Sequence, residues 1–152
     1  MISDKDIFRR QTMIRVLLLV SLLLISFSTK ANINKRDLLC LTTTSFNEAK
    51  GEDLLGMMLI ANVVINRSHE EKTICKVVSK PEQFAYDVST KIPKDLNEIL
   101  KMSVMDLYKG KFKIPNKFKK ATHFHNLKVK PKWTKKLVYL GVYKHHKFYT
   151  AT

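Results

Sequence analysis

Two carboxylates four residues apart, Glu48 and Glu52, bracket Gly51 in the segment Phe46-Asn47-Glu48-Ala49-Lys50-Gly51-Glu52, within an apolar, helix-patterned region. A carboxyl group placed among Leu, Phe and Met side chains has its charged form disfavoured. Its pKa moves toward the range in which it can give and take protons near neutral pH. A second constellation is His123-Phe124-His125. On a strand, residues two apart share a face, so this pair could present two imidazoles to one zinc ion. A third ligand would have to come from His69, His145, His146 or an acid, and the sequence has no H-E-x-x-H motif or clustered Cys spacing.

The helices that must carry the two carboxylates give them different standing. Residues 35–49 hold Leu38, Leu39, Leu41, Phe46 and Ala49 at a loose helical period, with Asn34 or Asp37 available near the start. Gly51 interrupts the pattern, and 52–66 then reads as a core helix, apolar nearly all round. Glu52 and Asp53 fall in its expected first turn, where the macrodipole favours acids. Glu48 falls at the end of the preceding helix, where a negative charge is opposed.

The remaining elements follow from period and punctuation. A short helix is expected over 73–79, a loop over 80–87 and an amphipathic helix over 93–107 with Leu96, Ile99, Leu100, Val104 and Leu107 on one side and Gly110 as its stop. Asn66 and Arg67 read as the C-terminal end of the core helix. A basic connector over 109–120 leads to short aromatic and β-branched runs at 121–127, 137–140 and 145–150. Helices first and strands last predicts an α+β fold.

With 152 residues and 45% hydrophobic content, one domain with a real core is expected. Residues 1–31 read as a signal peptide, or alternatively as an uncleaved N-terminal membrane anchor: Arg9, Arg10 and Arg15 precede an apolar run over 16–27, and small residues follow. That run is shorter than the roughly 20 apolar residues of a spanning helix. Met13 opens a compact signal of its own. Residues 32–152 are then the mature domain, exported to the periplasm, cell wall or exterior. They keep 23 basic and 11 acidic residues, a net +12.

Such a charge raises the local concentration of polyanions. For an exported chain these are anionic envelope polymers rather than nucleic acid, with the membrane engaged only through an uncleaved N-terminal segment. Cys40 and Cys75 are the only cysteines, and an even count in an oxidising compartment suggests one bridge, against two separately buried thiols.

Together these residues resemble the cell-wall hydrolase family typified by the spore cortex-lytic enzyme SleB. The resemblance rests on the segment from Leu41 through Glu52, on Asn62-Val63-Val64-Ile65-Asn66-Arg67, on Thr73-Ile74-Cys75-Lys76-Val77-Val78 and on Gln83-Phe84. It continues through Ala121-Thr122-His123-Phe124-His125-Asn126, Pro131 with Trp133, and His146-Lys147-Phe148-Tyr149, spanning residues 38–149 in order. It implies a peptidoglycan-cleaving glycosidase with a lysozyme-like or lytic-transglycosylase-like α+β domain, needing no cofactor or metal. Glu48 matches the catalytic acid/base of the E-A-R-G-E motif, and Glu52 matches its second Glu, a supporting residue.

Gln83, Phe84, Thr122, His123, His125, Trp133, His146 and Tyr149 are the candidates to bind glycan or brace the site. Lys50 stands where the family usually has Arg, and Phe46 where it usually has Tyr. Lys119 and Lys120 replace glycines that commonly precede the A-T-H-F-H segment.

In this chemistry a protonated carboxyl donates to the glycosidic oxygen as the bond breaks and, once ionised, accepts a proton from whatever attacks the sugar. If water attacks, a second carboxylate should stand about 5 to 9.5 Å across the bond. Glu52, Glu82 and Asp87 are candidates, and none stands out. If the 6-hydroxyl of the same muramic sugar attacks, an anhydro ring forms without a second acid. The expected reaction is therefore lytic transglycosylation between N-acetylmuramic acid and N-acetylglucosamine. The alternatives are a zinc-dependent peptidoglycan peptidase using His123 and His125, or a non-catalytic basic wall-binding protein.

Overall fold

Asn34 starts the first described helix. Its side chain accepts from the Asp37 backbone N–H at 2.8 Å, and α1 (Lys35–Glu48) follows. The computed structural model describes residues 32–151; the expected signal segment lies outside the described residues. Buried Cys40, Leu41 and Phe46 fix the inward face of α1. The helix ends at Glu48, and Gly51, at φ +88°, takes the left-handed conformation that turns the chain back.

The core helix α2 (Leu54–Glu71) is capped by Asp53, whose carboxylate accepts from the Gly56 N–H at 3.0 Å. Met57 through Ala61, Val63 and Val64 are buried along it. Two expectations are corrected here. Glu52 lies outside the first turn of α2, one residue before its cap. Nor do Asn66 and Arg67 end the helix, which runs on to Glu71 and stops at Lys72 in the left-handed region. The Asn66 amide reaches sideways instead, donating to the carbonyls of Lys119 at 2.9 Å and Ala121 at 2.8 Å. Asn62 likewise donates to the Phe118 carbonyl at 3.0 Å. These amides fasten the connector before the sheet to the middle of α2.

A short helix α3 (Ile74–Val78) follows its Thr73 cap, and α4 (Lys94–Tyr108) follows Pro93. Cys40 of α1 and Cys75 of α3 form the disulfide. Leu100 and Val104 of α4 are fully buried, and Leu96 and Leu107 are half-buried beside them. Ile99, expected with them, is 47% exposed because it falls at the edge of the Leu96–Leu100–Val104 stripe.

The sheet comprises β1 (His123–Asn126), β2 (Val138–Tyr143) and β3 (His146–Thr150), antiparallel in the order β1-β3-β2. Single 3-10 turns, Asn116–Phe118 and Lys132–Lys136, precede β1 and β2. Alternation along β3 points His146 and Phe148 to one face and Lys147 and Tyr149 to the other. The inner face joins the helices through Phe148, whose ring lies 5.1 Å from that of Phe118. The result is the expected α+β, lysozyme-like arrangement of helices first and a small C-terminal sheet. Among the described residues no helix is long and apolar enough to cross a membrane.

Candidate active site

Glu48 is the last residue of α1. One oxygen accepts a hydrogen bond from the backbone N–H of Ala85, in the loop after α3. Burial pushes its pKa above the ordinary glutamate value, the Ala85 N–H and the nearby His146 pulling back in the opposite direction. Burial is the largest cause, so the protonated form is favoured relative to a free glutamate.

Glu52 is the other kind of carboxylate. Its side chain is 3% exposed. One oxygen accepts from the His145 backbone N–H at 3.1 Å and lies 3.0 Å from Nδ1 of His146, itself buried. A carboxylate oxygen only accepts, so Nδ1 of His146 carries the proton against it. Glu52 thus locks the imidazole whose charge bears on Glu48 and joins the turn after α1 to the turn between β2 and β3. Its remaining oxygen rests against Gly56 in the first turn of α2, where an added methyl would collide with it and come 3.0 Å from the Glu52 Cβ.

Gly56→Ala is therefore expected to lower the unfolding free energy by about 1 to 3 kcal/mol, as overpacking does, although Ala is the better helix former. Urea denaturation checks this, and a raised midpoint would show that Glu52 is not seated there.

Gln83 and Phe84 belong to the same side of the molecule. Gln83 accepts from the Arg67 guanidinium, which lies 5.0 Å from the centre of the Phe84 ring. Phe84 is 6.0 Å from Phe124, and Phe124 is edge-on to His146 at 5.3 Å. A continuous wall thus runs from Arg67 through Phe84 and Phe124 to His146. Arg67 and Phe124 were not singled out from the sequence. Arg67 read as a dipole partner because α2 was expected to end there. The period-two rule applied to His123-Phe124-His125 already puts Phe124 on the opposite face from its neighbours.

The outer face holds the other candidates. His125 is buried, with Nδ1 2.8 Å from the Asn126 carbonyl and Nε2 3.0 Å from the Tyr149 hydroxyl. Trp133 lies 5.5 Å from His123 and edge-on to His125 and Tyr149. Thr122 immediately precedes β1, its hydroxyl 2.9 Å from Nδ1 of His123. Burial, and after it the Arg67 guanidinium, hold His123 below the usual imidazole pKa. The pair does share a face as expected. Both nitrogens of His125 are nevertheless engaged, and no group of three His, Cys, Asp or Glu side chains that could hold a metal occurs among the described residues.

Of the other candidate acids, Glu82 is exposed. Asp87 accepts from the Ser89 N–H and hydroxyl. Asp53 caps α2 and accepts from the Tyr143 hydroxyl at 2.9 Å. Lys50 and Phe46, the two departures from the family pattern, face each other, with the ammonium 5.9 Å from the ring centre.

A family model described as cell wall hydrolase matches residues 51–149. The match includes Glu52 and begins three residues after Glu48. The crystal structure of the catalytic domain of the Bacillus cereus SleB protein is similar in fold. It has a TM-score of 0.64 and 16% sequence identity, over 82% of this chain and 99% of that one. Among curated proteins none matches the sequence.

Proposed function

Because this chain belongs to the cell wall hydrolase family, we propose that it is an exported lytic transglycosylase. It cleaves the β-1,4 bond between N-acetylmuramic acid and N-acetylglucosamine, with Glu48 as the single catalytic residue. The observation that carries this reading is the contrast between the two glutamates. Glu48 is a partly buried carboxyl with raised pKa, held by one backbone N–H, whereas Glu52 is closed off by His145, His146 and Gly56.

Protonated Glu48 donates to the glycosidic oxygen as its bond to the muramic C1 breaks. The resulting carboxylate takes the proton of the muramic 6-hydroxyl as that oxygen bonds to C1, closing the anhydro ring and returning Glu48 to its acid form. Glu52 acts through His146 as a positioning residue and Asp87 is engaged by Ser89, so of the three candidates for the second carboxylate of a hydrolytic mechanism only the exposed Glu82 is left. The wall of Phe84, Phe124 and Arg67 offers apolar and cationic surface to the sugar faces and acidic groups of a glycan strand. The positive net charge concentrates the enzyme at anionic envelope polymers.

Mass spectrometry of purified sacculi after digestion tests the reading. Anhydro-muramyl ends are expected. Reducing muramic ends would replace it with hydrolysis, and new free amino groups lost on chelation would replace it with the zinc peptidase.

A further inference from the structure

Within residues 32–152 the excess positive charge lies in the C-terminal part. Residues 32–106 hold ten basic and eleven acidic residues, whereas from Leu107 onward there are thirteen lysines and no Asp or Glu. Among the described residues only Lys144 of these thirteen forms an ion pair, with Asp53 at 3.5 Å.

The same region carries unusual apolar exposure. Of the ten large hydrophobic side chains exposed on the described molecule, six fall within 127–142: Leu127, Val129, Trp133, Val138, Tyr139 and Val142. The sheet register gathers several of them. Tyr139 pairs with Tyr149 and Val142 with Lys147, so both belong to the outer face, turned away from His146 and Phe148. Trp133 and Tyr139 lie 5.6 and 5.5 Å from the Tyr149 ring, forming one aromatic cluster. Exposed Lys132, Lys135 and Lys136 are near it in sequence, and Lys128 and Lys130 alternate with Leu127 and Val129.

We propose that this outer face, built from Leu127, Val129, Trp133, Tyr139, Val142 and the lysines among them, is a peripheral docking surface for an anionic lipid bilayer. A soluble polyanion is served by the lysines alone and leaves the exposed apolar groups in water. A bilayer interface uses both. Trp and Tyr rings settle at the headgroup level, small apolar side chains enter the boundary, and lysines extend to the lipid phosphates. A second copy of this chain would oppose lysines to lysines, with no acid on the face to pair them. The inference needs nothing from the chemistry at Glu48, which lies with His146 on the other side of the sheet.

The test uses residues 32–152, a compact unit that contains the core and the disulfide, with vesicles of phosphatidylglycerol and phosphatidylcholine against phosphatidylcholine alone. Trp133 is the only tryptophan, so its emission reports the surface directly. Sedimentation with the anionic vesicles and a blue-shifted emission are expected, with neither on neutral vesicles. The Lys132→Gln, Lys135→Gln pair should weaken partitioning about 30-fold, from roughly fivefold per lysine. The Leu127→Ser, Val129→Ser pair should weaken it about tenfold or more from lost apolar burial, while leaving binding to inorganic polyphosphate unchanged. Unaltered unfolding transitions confirm that these surface variants remain folded. Equal binding to both vesicles, or anionic-vesicle binding unaffected by the Leu127, Val129 pair, overturns the proposal.

Discussion

Glu48→Gln is expected to lower the rate of fragment release from sacculi by about 100- to 10,000-fold, the range for a positioned proton donor and acceptor. The loss should fall on kcat, since the amide retains the size of the side chain. Its carbonyl can still accept from the Ala85 N–H that holds Glu48. The same change should leave the protein no less stable at neutral pH. Burial raises the Glu48 pKa, so the fold binds the protonated form better than the unfolded chain does. The stability this group supplies is fully present below the unfolded pKa and is lost as pH rises through the higher folded one. Gln has no charged form, so the variant should lose that pH dependence. Parallel urea titrations at acid and neutral pH measure it. A variant that is both inactive and markedly less stable would mean that Glu48 serves the fold.

The rate profile carries a second sign. As an acid Glu48 works only while protonated, so kcat/KM should fall on the alkaline side through a pKa above that of a free glutamate. The alkaline limb should move when His146 is replaced by Gln, because removing an imidazole whose charge opposes the rise lets the Glu48 pKa climb further. Glycan release measured across pH for parent and His146→Gln reads this shift. A profile unmoved by the substitution would separate His146 from the proton donor.

Local signals were legible wherever the physics is local. The Gly51 break and the period of α1 placed Glu48 at a helix end, and the structure puts it at the last helical residue and chooses Asn34 over Asp37 as the cap. The short aromatic and β-branched runs after residue 120 became three strands with boundaries moved by up to three residues. What remained hidden was tertiary. His146 meets Glu52 across 94 positions, and no spacing rule reaches that far. Asn66 looked like a helix terminator because Asn favours such positions, but its amide satisfies two carbonyls of the connector, and α2 continues beneath it. The candidates grouped around A-T-H-F-H were split by the pleat, with His123 and His125 outward and Phe124 inward toward His146.

Removing the Cys40–Cys75 bridge, by reduction or by replacing both residues with Ser, is expected to lower the unfolding free energy by about 4 kcal/mol, as the chain-entropy relation gives for a loop of this length. The separation is 35 residues, and the closed loop contains the end of α1, the Gly51 turn and all of α2. Its closure therefore constrains the segment holding both glutamates. The loss should also reach the site. The Tyr86 hydroxyl lies 3.3 Å from the Cys40 sulfur, and Tyr86 immediately follows Ala85, whose N–H holds Glu48. Freeing the sulfurs loosens the anchor of that loop before the core opens, so activity should fall at lower urea than global unfolding in the reduced protein, and together with it in the oxidised one. Paired activity and circular dichroism titrations measure both midpoints. Coincident midpoints in the reduced protein would confine the bridge to global stability and remove it from the positioning of Glu48.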